Sequence, residues 1–133
     1  MGNSEEMIES HRDLRVWRAA MELAEAACRA AMKTPSGLRF SLADQMIRAA
    51  TSVPANIAEG YGRDSTGSYL QFLKIALGSL CELETHVLLA QRLEAFGGDQ
   101  SAKILQQLAS VGKMPNALIK SLQQSNARDR RPG

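Results

Sequence analysis

Aromatic residues make up only 5% of the 133 positions, and Val, Ile and Thr together number just 14. Pleated strands favour those residue types, so the composition excludes an all-β fold. Cysteine is equally sparse. Cys28 and Cys81 form no C-x-x-C pair and have no histidine at ligand spacing, so a cysteine-ligated metal site is not expected. A disulfide between them stays open; the simpler reading is two small hydrophobes in a reducing cytoplasm. No run approaches 18 apolar residues, so no membrane span is expected. Met1–Ser10 is acidic and polar without an apolar stretch, which argues against a secretory signal. Gly2 meets the first requirement for myristoylation, but Glu6 stands where Ser or Thr belongs. Net charge is also nearly missing, at +2 from 16 basic and 14 acidic residues. That balance is far from the signature of a strong nucleic-acid binder, and with 44% hydrophobic residues it argues against disorder.

Ala (19) and Leu (16) dominate what is present. Both lose little side-chain entropy in a helix, so the chain reads as one all-α domain. Four stretches with helical periodicity follow, at about 13–33, 41–62, 65–96 and 100–125, within a bundle covering 13–126. Flexible segments are expected at 1–12 and 127–133, the latter a basic tail. In the first stretch Leu14, Trp17, Met21, Ala24, Cys28 and Ala31 form an apolar stripe, with Asp13 as N-cap and Pro35 ending the helix. The second is capped by Ser41 and buries Leu42, Met46, Ala49, Val53 and Ile57. Regular spacing on both sides of Pro54 favours one helix kinked there over two helices. The third is apolar over an arc from Tyr69 to Leu93 too wide for one neighbour, and Gly97-Gly98 stops it. Asp99 or Ser101 caps the fourth, where Gly112 and Pro115 predict a bend or break. Short connections make neighbours antiparallel, giving an up-down-up-down four-helix bundle.

Motifs for chemistry are few. The histidines, His11 and His86, belong to no H-E-x-x-H or Glu-x-x-His pattern, and no phosphate loop or nucleophile elbow occurs. No catalytic residue, cofactor or metal is expected, and an enzyme built on the polar stripe described next is only a remote alternative. On the second helix Gln45, Arg48, Ser52, Asn56 and Glu59 step by 3, 4, 4 and 3 and so share one face. Antiparallel packing across the turn at 63–66 sets positions summing to 127–130 at one height. Ser79 and Glu82 then come opposite, with an expected Arg48–Glu82 pair. The seven residues form either a recognition face or a structural network. Arg15 and Arg18 on the first helix, with Arg128, Arg130 and Arg131 in the tail, are candidate phosphate contacts. Pairs at i,i+4, Arg18–Glu22 and Glu25–Arg29, explain the first helix equally well as a solvated face. Trp17 reads as a core or interface anchor.

Four segments in order carry a family likeness: Asp13-Leu14-Arg15-Val16-Trp17, Gln45-Met46-Ile47-Arg48-Ala49-Ala50, Ser52-Val53-Pro54-Ala55-Asn56-Ile57-Ala58-Glu59-Gly60, and Ile75-Ala76-Leu77-Gly78-Ser79-Leu80-Cys81-Glu82-Leu83-Glu84. Over roughly residues 12–96 the chain resembles the bacterial 23S ribosomal RNA intervening-sequence protein family. The resemblance implies a four-helix bundle with an unbroken, Pro-containing second helix. It also implies a homopentamer, as in the related accessory proteins of diversity-generating retroelements, which associate with nucleic acid and a reverse transcriptase. Arg48, Ser52, Asn56, Glu59 and Glu82 match the family's polar positions. The near-neutral charge departs from those strongly basic relatives. The expected function is therefore a non-enzymatic, cytoplasmic, oligomeric binding or scaffold protein with RNA or another nucleic acid as partner. The alternative is a protein–protein scaffold without a nucleic-acid role.

Overall fold

Entry into the bundle is set by a local box of hydrogen bonds. In the computed structural model, which describes residues 7–129, Ser10 Oγ accepts from the Arg12 amide at 3.2 Å. The Asp13 carboxylate accepts from the amides of Glu9 at 2.9 Å and Ser10 at 3.3 Å. These bonds close one tight turn, His11–Asp13, ahead of the first long helix, α1 (Arg15–Met32). Asp13 therefore does not cap α1. Leu14 holds that position without a side-chain bond, because the Asp13 carboxylate already serves the preceding turn.

The interior face of α1 differs from the stripe expected. Buried there are Val16, Ala20, Leu23, Ala27 and Ala30, so small residues let the neighbouring helices approach closely. Of the expected stripe only Ala24 and Ala31 are buried; Met21 is 44% exposed, and Trp17 and Cys28 are half-buried. The large side chains of that row lie toward the edge of the bundle.

A short turn (Ser36–Leu38) and a wider one (Arg39–Ala43) lead into α2 (Asp44–Tyr61). Ser41 lies inside the wide turn and donates to the Leu38 carbonyl at 3.4 Å, so it is not the cap of α2. Leu42, Met46, Ala49, Val53 and Ile57 are all buried, as their spacing predicts. The helix runs on through Pro54, which is itself buried. Thr51 Oγ1 donates to the Ile47 carbonyl at 2.9 Å in the turn before it, as a hydroxyl in a disturbed turn does.

Ser65 caps α3 (Thr66–Arg92) by accepting from the Ser68 amide at 3.1 Å. This helix ends four residues before Phe96, so Gly97-Gly98 is not its stop. Instead Glu94 takes a φ of 53°, and the amides of Ala95 and Glu94 return to the carbonyls of Ala90 and Gln91 at 2.9 and 3.1 Å. That pair of bonds is the left-handed C-terminal closure usually built on glycine. Ala95, the residue after Glu94, is buried. Gly98 opens α4 (Gly98–Asp129), a single helix in which Gly112 and Pro115 cause no break. Asn116 Nδ2 donates to the Gly112 carbonyl at 3.1 Å, and Pro115 is enclosed in the core. Neither Asp99 nor Ser101 caps α4 through its side chain; Ser101 Oγ donates back to the Gly97 carbonyl.

α1 packs on α2 and α4, and α3 packs on the same two, which closes an up-down-up-down square. Leu23, Met46, Ile57, Leu73, Leu83 and Ile104 fill its middle, each contributing about 1.5–3 kcal/mol by burial. On α4 the inner row is Ile104, Leu108, Val111 and Ile119, with Leu105, Leu118 and Leu122 at its margin. Among the described residues there are no strands, and no helix is long and apolar enough to cross a membrane.

Candidate functional site

The polar row of α2 divides in two. Ser52 Oγ and Ser79 Oγ share a hydrogen bond of 2.8 Å between α2 and α3. Asn56 Nδ2 donates to Ser52 Oγ at 2.9 Å and to the Ser52 carbonyl at 2.8 Å. Ser79 is buried, whereas Ser52 and Asn56 are half-buried. The 52–79 pairing places positions summing to 131 at one height, one step beyond the expected register. No acid or base joins this cluster, so Ser52 has nothing to activate it as a nucleophile. Its chemistry is that of a satisfied polar lock that fixes how α3 sits on α2.

The rest of the row stays apart from that lock. Gln45, Arg48 and Glu82 are exposed, and Arg48 and Glu82 form no ion pair. Among the described residues the ion pairs are Glu25–Arg29 at 2.8 Å and Glu59–Arg63 at 2.9 Å, both on exposed helix faces. Arg63 also lies 5.0 Å over the Phe72 ring, which ties Glu59 to the α2–α3 turn. The expected Arg18–Glu22 pair is absent; Arg18 Nη2 instead donates to the Asp13 carbonyl at 3.5 Å. Arg15 and Arg18 line a hollow of about 880 Å³ between the start of α1 and α4, beside Met7, Ile8, Met114 and Leu118. Arg130, Arg131 and the Arg128 side chain lie outside the described residues.

Near the α2–α3 turn the two helices approach closely at Gly60. A Cβ placed on Gly60 would stand 2.7 Å from Phe72 Cβ. Tyr69 packs edge-on against Tyr61, with ring centroids 6.0 Å apart. Its buried hydroxyl has no hydrogen-bond partner, and burial, with Tyr61 beside it, holds its pKa above the usual value.

The opposite side of α2 is open. An apolar groove of about 650 Å³ runs between α1 and α2, with Trp17, Met21 and Cys28 on one wall and Pro54, Ala55 and Ala58 on the other. Burial in this wall raises the Cys28 pKa, so its thiol resists ionisation. Sequence spacing reveals this row, since Trp17, Met21, Ala24 and Cys28 repeat by 4, 3 and 4. It does not decide which way the row faces: Trp17 reads from it as either core or interface anchor, and in the structure Ala24 is buried while Met21 is exposed. A second feature escaped sequence reasoning: Arg29, Lys33 and Lys103 meet with Asp99 in a smaller hollow between α1 and α4. Among the described residues no three His, Cys, Asp or Glu side chains stand close enough to hold a metal.

The family match spans the lock and most of the bundle. The model for the 23S rRNA-intervening sequence protein matches residues 12–117. The chain belongs to this family. A crystal structure of a protein of unknown function from the S23 ribosomal protein family of Bacteroides thetaiotaomicron is similar, with a TM-score of 0.72 and 25% identity. The match covers 79% of this chain and 98% of that one. No curated protein matches.

Proposed function

We propose that this family member is a non-enzymatic, oligomeric binding scaffold of the cytoplasm, with RNA as its partner. The open α1–α2 groove carries the scaffold reading. Its walls are apolar although the bundle core is already filled, with Met21 exposed in one of them, and elsewhere Ile75, Leu88, Leu89 and Leu93 stay exposed on and just after α3. Apolar area left on a complete domain marks a contact surface. The pentamer implied by the family likeness is the assembly such a surface would support. The family's connection with a 23S rRNA intervening sequence supports RNA as partner, with exposed Arg15 and Arg18 as phosphate contacts and Arg128, Arg130 and Arg131 as further candidates from the sequence.

A salt titration of RNA affinity tests the RNA half. Affinity should fall with a logarithmic slope of about −0.7 to −0.9 per phosphate neutralised, and Arg15→Glu with Arg18→Glu should flatten it. Absence of binding at about 50 mM salt leaves the second reading, a protein–protein scaffold, which the apolarity of the groove favours. Light scattering tests the oligomer, for which a five-copy mass is expected and a monomer contradicts it.

A further inference from the structure

We propose that an RNA duplex lies along the seam between α1 and α4, its phosphates held at both ends of that seam. This rests on RNA as the partner and adds a second contact site, Arg29, Lys33 and Lys103, to Arg15 and Arg18.

The near-neutral charge of the chain conceals a division between two halves of the bundle. Within their helical bounds α1 and α4 carry seven cations against four carboxylates, and Lys33 follows α1 directly. α2 and α3 carry three against four. Between Asp99 and Asp129 helix α4 has no carboxylate at all, while Lys103, Lys113 and Lys120 are exposed on it. A local excess of one sign attracts a polyanion even where the whole molecule is nearly neutral.

Two hollows open along the seam. Arg15 and Arg18 line the one near the start of α1; Arg29, Lys33 and Lys103 line the other, of about 450 Å³, beside the start of α4. Each lining also holds one carboxylate. Asp13, in the first, is engaged by the amides of Glu9 and Ser10. In the second it is Asp99, and Glu25 nearby is bonded to Arg29 at 2.8 Å. Three cations against these two carboxylates leave the second hollow positive, and neither Lys33 nor Lys103 forms an ion pair among the described residues. Glu22 stands between the hollows along α1, but it lines the groove on the α2 side.

Spacing sets the two sites in one line. Arg15 and Lys33 are 18 positions apart, five whole turns, so they share one side of α1 at a separation of about 27 Å. No single phosphate reaches both. A duplex is stiff over that distance and meets both without first being ordered.

The absence of aromatic side chains selects duplex over single strand. Neither lining contains one. Trp17 lies in the α1–α2 groove, and Tyr61, Tyr69 and Phe72 gather at the α2–α3 turn. Single-stranded RNA is held largely by stacking its open bases on such rings, whereas a duplex presents phosphates and 2′-hydroxyls. Gln100 and Gln107, in the second lining, supply amide donors beside the lysines.

Fluorescence anisotropy of the full chain with an RNA duplex of about 16 base pairs, and with an unpaired RNA strand of equal length, tests this across a salt series. The wild type should bind the duplex more tightly. Lys33→Gln with Lys103→Gln should weaken duplex binding roughly tenfold or more and reduce the salt slope by about 2. Lys74→Gln with Arg92→Gln, the same change of charge on α3, should leave both within error. Circular dichroism should show all variants folded, since the four side chains are exposed. Equal losses in the two pairs would mean that net charge alone matters and overturn the seam. Unchanged binding in the Lys33 and Lys103 variant, with a flattened slope in Arg15→Glu with Arg18→Glu, overturns the second site and leaves the RNA reading standing. Tighter binding of the single strand overturns the duplex, and a wild type that binds neither RNA removes the RNA reading itself.

Discussion

Helix α2 meets its two neighbours in opposite ways. Toward α3 it closes completely, with a glycine where the helices touch and a hydroxyl–hydroxyl–amide lock beside it. Toward α1 it leaves a groove lined by Trp17, Met21 and Pro54. On the closed side the hydroxyls of Ser52 and Ser79 satisfy each other and serve register. The open side keeps apolar area in water, which is unfavourable unless another surface covers it. The polar residues that meet here serve structure, and the area left open is apolar.

Substitutions on the two sides should break or sharpen that contrast. Gly60→Ala should have the largest effect, about 1–3 kcal/mol of lost stability in denaturant titration, because its methyl group meets Phe72 Cβ. Ser79→Ala should come next, at about 1 kcal/mol, since Ser52 keeps its bond from Asn56 when the partner on α3 is gone. Met21→Gln, on the open side, should leave the stability of the isolated chain within about 0.5 kcal/mol and weaken assembly instead. If Met21→Gln cost the monomer as much as Ser79→Ala, the two sides would not differ in kind.

The smallest effect concerns the entry turn, outside both sides. Amide bonds from Glu9 and Ser10 hold the Asp13 pKa below its usual value. A lowered folded-state pKa contributes stability above the unfolded value and loses it as pH falls through the folded one. The turn should therefore persist in mild acid after ordinary carboxylates begin to protonate, and then fray. Amide exchange at Glu9 and Ser10 reads this directly, and fraying that starts near neutral pH would contradict it.

Much of the bundle is legible in the sequence for a simple reason. In α2 the large apolar residues are also the buried ones, so spacing finds Met46, Val53 and Ile57 at once. In α1 that correlation fails: small alanines are inside and larger side chains outside, so a search for bulky apolar stripes selects the groove wall. The end of α3 was hidden because Glu94 occupies the left-handed position where glycine is the usual sign. Gly112 and Pro115 looked like breakers because intrinsic propensity weighs against them, but core burial of Pro115 and the Asn116 bond outweigh it. Within the candidate site, Ser52, Asn56 and Ser79 were readable from helical steps and an antiparallel register. Arg48 and Glu82 were included on the same grounds, yet both remain in solvent, since a shared face does not imply contact.

By itself the sequence determined four antiparallel helices, their order and the family, because composition, spacing and short connections are local or nearly local properties. Only the tertiary structure decided which of two stripes on α1 faces the core, which polar residues meet and where apolar surface is left over. Those outcomes depend on how closely helices approach one another. That distance is set jointly by small residues on both partners, Gly60 against Phe72 and the alanines of α1 against α2, and no single helix encodes it.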